Sequence, residues 1–292
     1  MSDNQSKRGT LRLIVVSGRS GSGKSTALAV LEDAGFNCID NLPAILLKPI
    51  VEETLYSSHS EEIGLAICID ARNRSLNKFT ELFDEIDRTK INCELVFFDA
   101  LDETLLKRFS ETQRPHPLTS KTRNLQEAIK IESKFLDKVS EKADLRIDTS
   151  TLTERELRNL IVDRIIKRKA KTLNLAFSSF GYKHGIPKDA DYVFDMRCLP
   201  NPFWSKTLKN LTGLDEDVKS FLAEQDLVEE MVQDLIFYLS KWISQFEDYN
   251  KLYMTVAIGC TGGQHRSVYV VERMAEYFKE KPINIIVRHR EL

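Results

Sequence analysis

Two glycine-rich segments carry the residue types best suited to chemistry. The first, Gly18-Arg19-Ser20-Gly21-Ser22-Gly23-Lys24-Ser25, fits the spacing G-x-x-x-x-G-K-[ST] at every fixed position. Its glycines let backbone N–H groups curl around a phosphate, and a following helix N-terminus adds positive potential. In that geometry Lys24 reaches the β- and γ-phosphates as the catalytic cation, and the Ser25 hydroxyl ligates magnesium. A second carboxylate is expected at a strand end. Asp99, after Leu95-Val96-Phe97-Phe98, is the first candidate metal ligand and Asp70 the next. Arg108 and Arg114 lie further on, where nucleotide kinases carry a lid whose arginines pair with phosphates.

The second segment is Gly259-Cys260-Thr261-Gly262-Gly263-Gln264-His265-Arg266-Ser267. It contains C-x5-R-[ST], the spacing by which cysteine phosphatases wrap a phosphate. Paired glycines, a helix start and Arg266 all favour an anion, and a thiolate at Cys260 gains from the same field. Three outcomes stay open: an anion or sugar-phosphate cradle, phosphatase chemistry with Asp195 as the acid, and a purely structural turn. The candidate anion set is Cys260, Thr261, Gly262, Gly263, His265 and Arg266, with His184 and Arg197 as further lining.

The elements that must position these residues follow from the apolar pattern. Runs at Leu11–Val16, Asn37–Ile39, Leu65–Ile69, Leu95–Phe98 and Leu145–Ile147 read as buried strands. Helical stretches lie near Lys24–Ala34, Ser75–Arg88, Glu103–Glu111, Leu125–Glu141 and Thr153–Arg168. This alternation predicts a parallel sheet covered by helices, with ligands at the carboxyl ends of the strands, where Asp40, Asp70 and Asp99 fall. A basic run, Lys167–Lys171, closes that half, either as a dipole-matched helix end or as a nucleic-acid contact.

A new pattern starts beyond it. Strands are expected at Leu173–Ser178, Tyr192–Phe194, Tyr253–Ile258 and Ile283–Val287, and a helix over Ser267–Lys279. A long helix is expected to bury Leu227, Met231, Leu235, Leu239 and Ile243. The fold class is therefore α/β: a kinase-like P-loop domain at 11–170 after a flexible segment 1–10, and a smaller α/β domain at 171–292. At roughly 150 residues per domain, a chain of 292 residues suits two.

Charge and cysteine content exclude several classes. The formal net charge is -2, so no overall basic field grips nucleic acid, although a local patch is allowed. The five cysteines are scattered with no C-x-x-C pair, which argues against a disulfide framework or a zinc site. No apolar run approaches membrane-spanning length and the first ten residues are polar, so a cytoplasmic protein is expected.

Several segments together resemble the RapZ/YvcJ family of nucleotide-binding proteins. Besides the phosphate loop they are Asp40-Asn41-Leu42-Pro43, Asp70-Ala71-Arg72-Asn73 and Arg114-Pro115-His116-Pro117-Leu118. In the second half they are Phe180-Gly181-Tyr182-Lys183-His184-Gly185, Asp195–Pro202 and the Gly259–Val268 turn. The resemblance implies ATP and GTP binding with slow hydrolysis, and it marks Asp70, Ala71, Arg72 and Asn73 as a guanine-nucleotide element. It further implies a homo-oligomer whose C-terminal domain binds a small RNA, presents it to the endonuclease RNase E and senses glucosamine-6-phosphate. Two departures stand out. The enteric members end in a basic tail, whereas this sequence ends Arg288-His289-Arg290-Glu291-Leu292, and Phe203 replaces their histidine with a ring that cannot donate a hydrogen bond. A small-molecule kinase is the remaining alternative.

Overall fold

The computed structural model describes residues 11–57, 64–73, 75–89, 91–167, 173–248 and 252–292. The chain divides into two compact units, one ending at Ile166 and the other beginning at Lys167. The expected flexible segment 1–10, the boundary near 170 and the basic run beyond Lys167 lie outside the described residues.

The first unit alternates strand and helix: β1 (Leu11–Gly18), α1 (Lys24–Asp33), β2 (Phe36–Ile39), α2 (Leu47–Ser57), β3 (Gly64–Cys68), α3 (Phe79–Asp84), β4 (Ile91–Asp99), α4 (Asp102–Thr112), α5 (Leu125–Lys142), β5 (Leu145–Asp148) and α6 (Glu154–Ile161). The sheet order is β2-β3-β1-β4-β5, with parallel pairing throughout. Leu13, Ile14, Val15 and Val16 are fully buried because the central strand is covered on both faces. Three expectations change. The sequence reading held no helix at α2; Pro49 sits in its first turn, where a missing N–H costs nothing. The helix expected over Ser75–Arg88 is α-helical only at Phe79–Asp84, and the one after Thr153 ends in a π-helical turn, Val162–Ile166.

The second unit comprises β6 (Asn174–Gly181), β7 (Tyr192–Asp195), α7 (Glu216–Ala223), α8 (Asp226–Asp248), β8 (Tyr253–Cys260), α9 (Arg266–Lys279) and β9 (Asn284–His289). Its parallel sheet has the order β7-β8-β6-β9, with Gly181 registered against Cys260 at the carboxyl edge. The buried stripe of α8 is Val228, Val232, Leu235, Leu239 and Ile243, and Leu227 is exposed. The expected strict four-residue step overshoots a full turn by about 40° each time, so the true stripe mixes steps of four and three. Each unit has its own hydrophobic core.

Candidate functional site

The phosphate loop joins β1 to α1. Gly18 can only be glycine: its φ is 142° and a Cβ would fall on the backbone carbonyl of Phe98 in the neighbouring strand. Gly23 precedes α1 in the left-handed region, at φ 100°, and no side chain caps the helix start. The first-turn N–H groups thus stay available to an anion. By contrast, α5 and α6 carry full capping boxes, Asn124 with Glu127 and Thr153 with Glu156.

A cavity of about 570 Å³ opens over this loop. Ser20, Gly21, Gly23, Lys24 and Ser25 line it, while Gly18, Arg19 and Ser22 form the loop's internal scaffold. Arg19 turns inward, donating to the Ala100 and Ile129 carbonyls and pairing with Asp102 at 2.7 Å. The Lys24 ammonium donates to the Gly18 and Arg19 carbonyls at 2.7 and 3.0 Å, which leaves its third proton for a phosphate. Arg108 clamps the loop from α4, donating to the Gly21 carbonyl at 2.9 Å and to the carbonyl and hydroxyl of Thr149. Burial holds its guanidinium below the ordinary arginine value.

The cavity differs at its two flanks. After β4 and β5 its walls include Phe109, Leu152 and Leu157. Beside β2 and β3 they are Asp40, Cys68, Asp70 and Arg72. Asp99 is not among the lining residues, contrary to the expectation for a magnesium ligand. Its carboxylate accepts the Ala100 N–H at 2.7 Å and faces Arg19 at 3.5 Å, so it braces the loop from behind. Asp70 is nearly buried and accepts from the Arg72 backbone N–H, Nε and Nη2 at 3.0, 2.8 and 2.6 Å. The Asn73 amide is used within the same turn, donating to the Leu42 carbonyl and accepting the Ser75 N–H. Hydrogen bonding to Asp70 raises the Arg72 pKa further.

Two functional-looking residues had no motif to betray them. Glu132 on α5 is fully buried and accepts the Ser20 N–H at 3.0 Å and the Ser20 hydroxyl at 2.6 Å. His116 completes the chain at 3.1 Å. Burial alone would raise the Glu132 pKa, but His116, Ser20 and the Lys24 charge hold it below the ordinary 4.5. The second is Glu291, in the other unit.

In that second unit the turn after β8 is divided in depth. Thr261 is exposed, whereas Cys260, His265 and Arg266 are buried behind it. Arg266 is a brace: Nη1 donates to the Arg197 and Leu199 carbonyls at 3.0 and 2.9 Å, and Nη2 reaches Thr261 Oγ1 at 3.4 Å. His265 Nε2 lies 3.3 Å from the Leu208 carbonyl. Burial pushes the Cys260 thiol up, yet the Ser267 hydroxyl, the Ser267 and Gly263 amides and the Arg266 charge bring it below its ordinary value. Arg197 is exposed, pairs with Asp195 at 2.7 Å and stacks over Tyr182 at 4.0 Å. His184 is exposed in the turn after β6. Beside Gly263 sits the Glu291 carboxylate, which accepts the Gly181 N–H while its Oε2 is buried without a hydrogen-bond partner. Burial raises its pKa, only partly offset by that amide and by Arg290, Arg288 and Lys183. Elsewhere in this unit, Trp204 is 81% exposed and Phe203 45%, with Lys209 Nζ 4.8 Å from the Phe203 ring.

Residues 11–169 match the family described as RapZ-like N-terminal domain, and residues 173–292 the RapZ C-terminal domain. A protein of Hahella chejuensis named nucleotide-binding protein is 49% identical, covering 97% of this chain and 99% of its own. One from Stutzerimonas stutzeri, named nucleotide-binding protein in ptsN-ptsO intergenic region, is 51% identical over 97% of this chain and all of its own. Among solved structures, shikimate kinase from Acinetobacter baumannii is similar over 55% of this chain and 96% of its own, at 20% identity and TM-score 0.38. Among the described residues no helix is long and apolar enough to cross a membrane. With both halves matched and whole-chain relatives at about half identity, the chain belongs to the RapZ family.

Proposed function

We propose that the first unit binds a nucleoside triphosphate, ATP or GTP, and hydrolyses it slowly, and that the protein acts as a regulator. The carrying observation is the uncapped start of α1, with Lys24 and Ser25 on one cavity wall and Arg108 clamping the loop. Lys24 would neutralise charge on the transferring phosphoryl group, and the loop amides would hold its oxygens. Magnesium fits this wall. The ion takes one or two protein oxygens and otherwise water and phosphate, and the Ser25 hydroxyl lines the cavity. When bound, it offsets charge on the β- and γ-phosphates. The names of the relatives agree with nucleotide binding, the first part of this reading.

Lys24→Ala tests it. Calorimetry with Mg-ATP and Mg-GTP should show affinity falling roughly 10–100-fold, as expected for a lost charge-assisted contact. Unchanged binding of both nucleotides would remove the phosphate loop from the site.

A second, compatible reading concerns RNA. Exposed Trp204 and Phe203, with Lys209 over one ring, form the kind of cationic and aromatic surface on which unpaired bases stack. The same unit would sense a sugar phosphate such as glucosamine-6-phosphate at the Thr261–Gly262 turn, and RNase E would be the recipient of the RNA. By anisotropy on the full chain, Trp204→Ala should weaken binding of a labelled RNA hairpin by about 1–3 kcal/mol. Equal affinities for the two proteins would exclude this surface.

A further inference from the structure

The charged flank of the first cavity needs an occupant of its own. In the sheet order β2-β3-β1-β4-β5, the phosphate loop rises from the middle strand. A nucleotide base prefers apolar walls, which the cavity offers beside β4 and β5 as Phe109, Leu152 and Leu157. The opposite flank, beside β2 and β3, presents Asp40, Asp70 and Arg72. Asp40 lies two strands from the loop, about 10 Å by strand spacing, which is room for one small molecule beside the terminal phosphate.

The roles there divide by hydrogen bonding. Asp70 is committed to Arg72 through three contacts, so it orients the guanidinium and has little capacity left. The Arg72 side chain is 52% exposed and its Nη1 is not used by Asp70, so the fork can take an anionic group. Asp40 is exposed and lines the same cavity wall as the buried Cys68. The Asn73 amide ties the same turn down, donating to the Leu42 carbonyl and accepting the Ser75 N–H.

We infer that the Asp40–Arg72 flank binds a phosphoryl acceptor, a small hydroxylated molecule bearing a carboxylate or phosphate, and that this unit is a small-molecule kinase. The inference rests on nucleotide binding at the phosphate loop. The acceptor hydroxyl oxygen forms a bond to the γ-phosphorus as the bond to the β–γ bridging oxygen breaks. The hydroxyl proton passes to Asp40, and the nucleoside diphosphate leaves with the bond pair. Arg72 holds the acceptor's anionic group.

The test uses the full chain with Mg-ATP labelled in the γ-phosphate. Hydroxy-carboxylates (glycerate, gluconate), phosphorylated polyols (glycerol 3-phosphate, sorbitol 6-phosphate) and uncharged glycerol and glucose are each supplied. An acceptor of one anionic class, which identifies the source of the charge, should raise ADP release about tenfold or more over water, the gap expected between kinases and slow hydrolases. One label should enter the organic product per ADP. Arg72→Ala should raise the acceptor KM roughly tenfold while leaving nucleotide affinity nearly unchanged. Asp40→Asn should lower transfer at saturation about 10²–10⁴-fold. Binding and hydrolysis of ATP with no label in any acceptor overturns the acceptor site alone. Loss of nucleotide affinity in Arg72→Ala also overturns it, because the flank then belongs to the base. Absence of nucleotide binding in the native chain overturns both readings.

Discussion

At the scale of single residues, the second unit's glycine turn is governed by a carboxylate that no spacing rule singles out. Gly181 and Gly263 have no room for a side chain at this crossing, and Glu291 fills the space beside them. Its carboxyl group takes the Gly181 amide, which an external anion at the turn would use. Burial raises its pKa, which means the ionised form is held at a cost that an arriving anion could relieve by displacing it. Glu291→Ala should therefore increase the affinity of the turn for sulfate, a probe whose charge does not vary near neutral pH. The gain should be roughly tenfold, as for removal of one like charge at short range in a partly screened site. Calorimetry measures it directly, and equal affinities would show that sulfate binds elsewhere. Arg266 illustrates the complementary lesson. Its type and spacing suggest an open phosphate donor, yet two carbonyls take Nη1. Residue type is legible in a sequence, but direction is settled by what lies across the turn.

At the scale of elements, α5 acts on the phosphate loop although its sequence reads as an ordinary amphipathic helix. Glu132 grips Ser20 and Arg108 holds the carbonyl of the next residue, Gly21, so α4 and α5 together fix the loop's middle residues. Because Glu132 titrates below 4.5, its stabilising effect is complete above that value and is lost as pH falls through the lower folded value. Glu132→Gln should flatten the acid limb of stability and cost about 1.5–3 kcal/mol at neutral pH, the range for hydrogen bonds to a charged group. Urea denaturation at several pH values checks this, and parallel acid limbs in both proteins would remove Glu132 from the account. Strands were the most legible elements, because Leu13–Val16 and Leu95–Phe98 are continuous apolar runs that only a doubly covered sheet explains. Helices were read less well. Pro43 and Pro49 mask α2, whose proline is harmless only because of its place in the first turn. In α8 a regular four-residue pattern pointed to Leu227 and Met231, while Val228 and Val232 are the buried pair. The phosphate loop was legible because its chemistry needs contiguous residues. The Ser20–Glu132–His116 chain was not, since its members come from three distant segments.

At the scale of the whole molecule, the described residues of each unit hold a large hydrophobic core of their own against a parallel sheet, with the candidate binding residues at its carboxyl edge. Buried side chains of the first core, such as Phe79 and Phe83, and of the second, such as Phe177 and Phe278, pack within their own units. Two cores of this kind should unfold as two cooperative steps, because each loses its own buried surface at once. A ligand that binds only one folded unit stabilises that unit by mass action, about 2.7 kcal/mol at a hundred times its Kd. For units of this size that corresponds to roughly 4–8 °C or more in Tm. Scanning calorimetry of the full chain with Mg-ATP should thus move one transition upward and leave the other in place. The Lys24→Ala protein should show both transitions with neither moved, which separates loss of binding from loss of fold. Equal shifts of both transitions, or a single merged transition, would mean that the two units unfold as one and that nucleotide is linked to the anion turn through the fold itself.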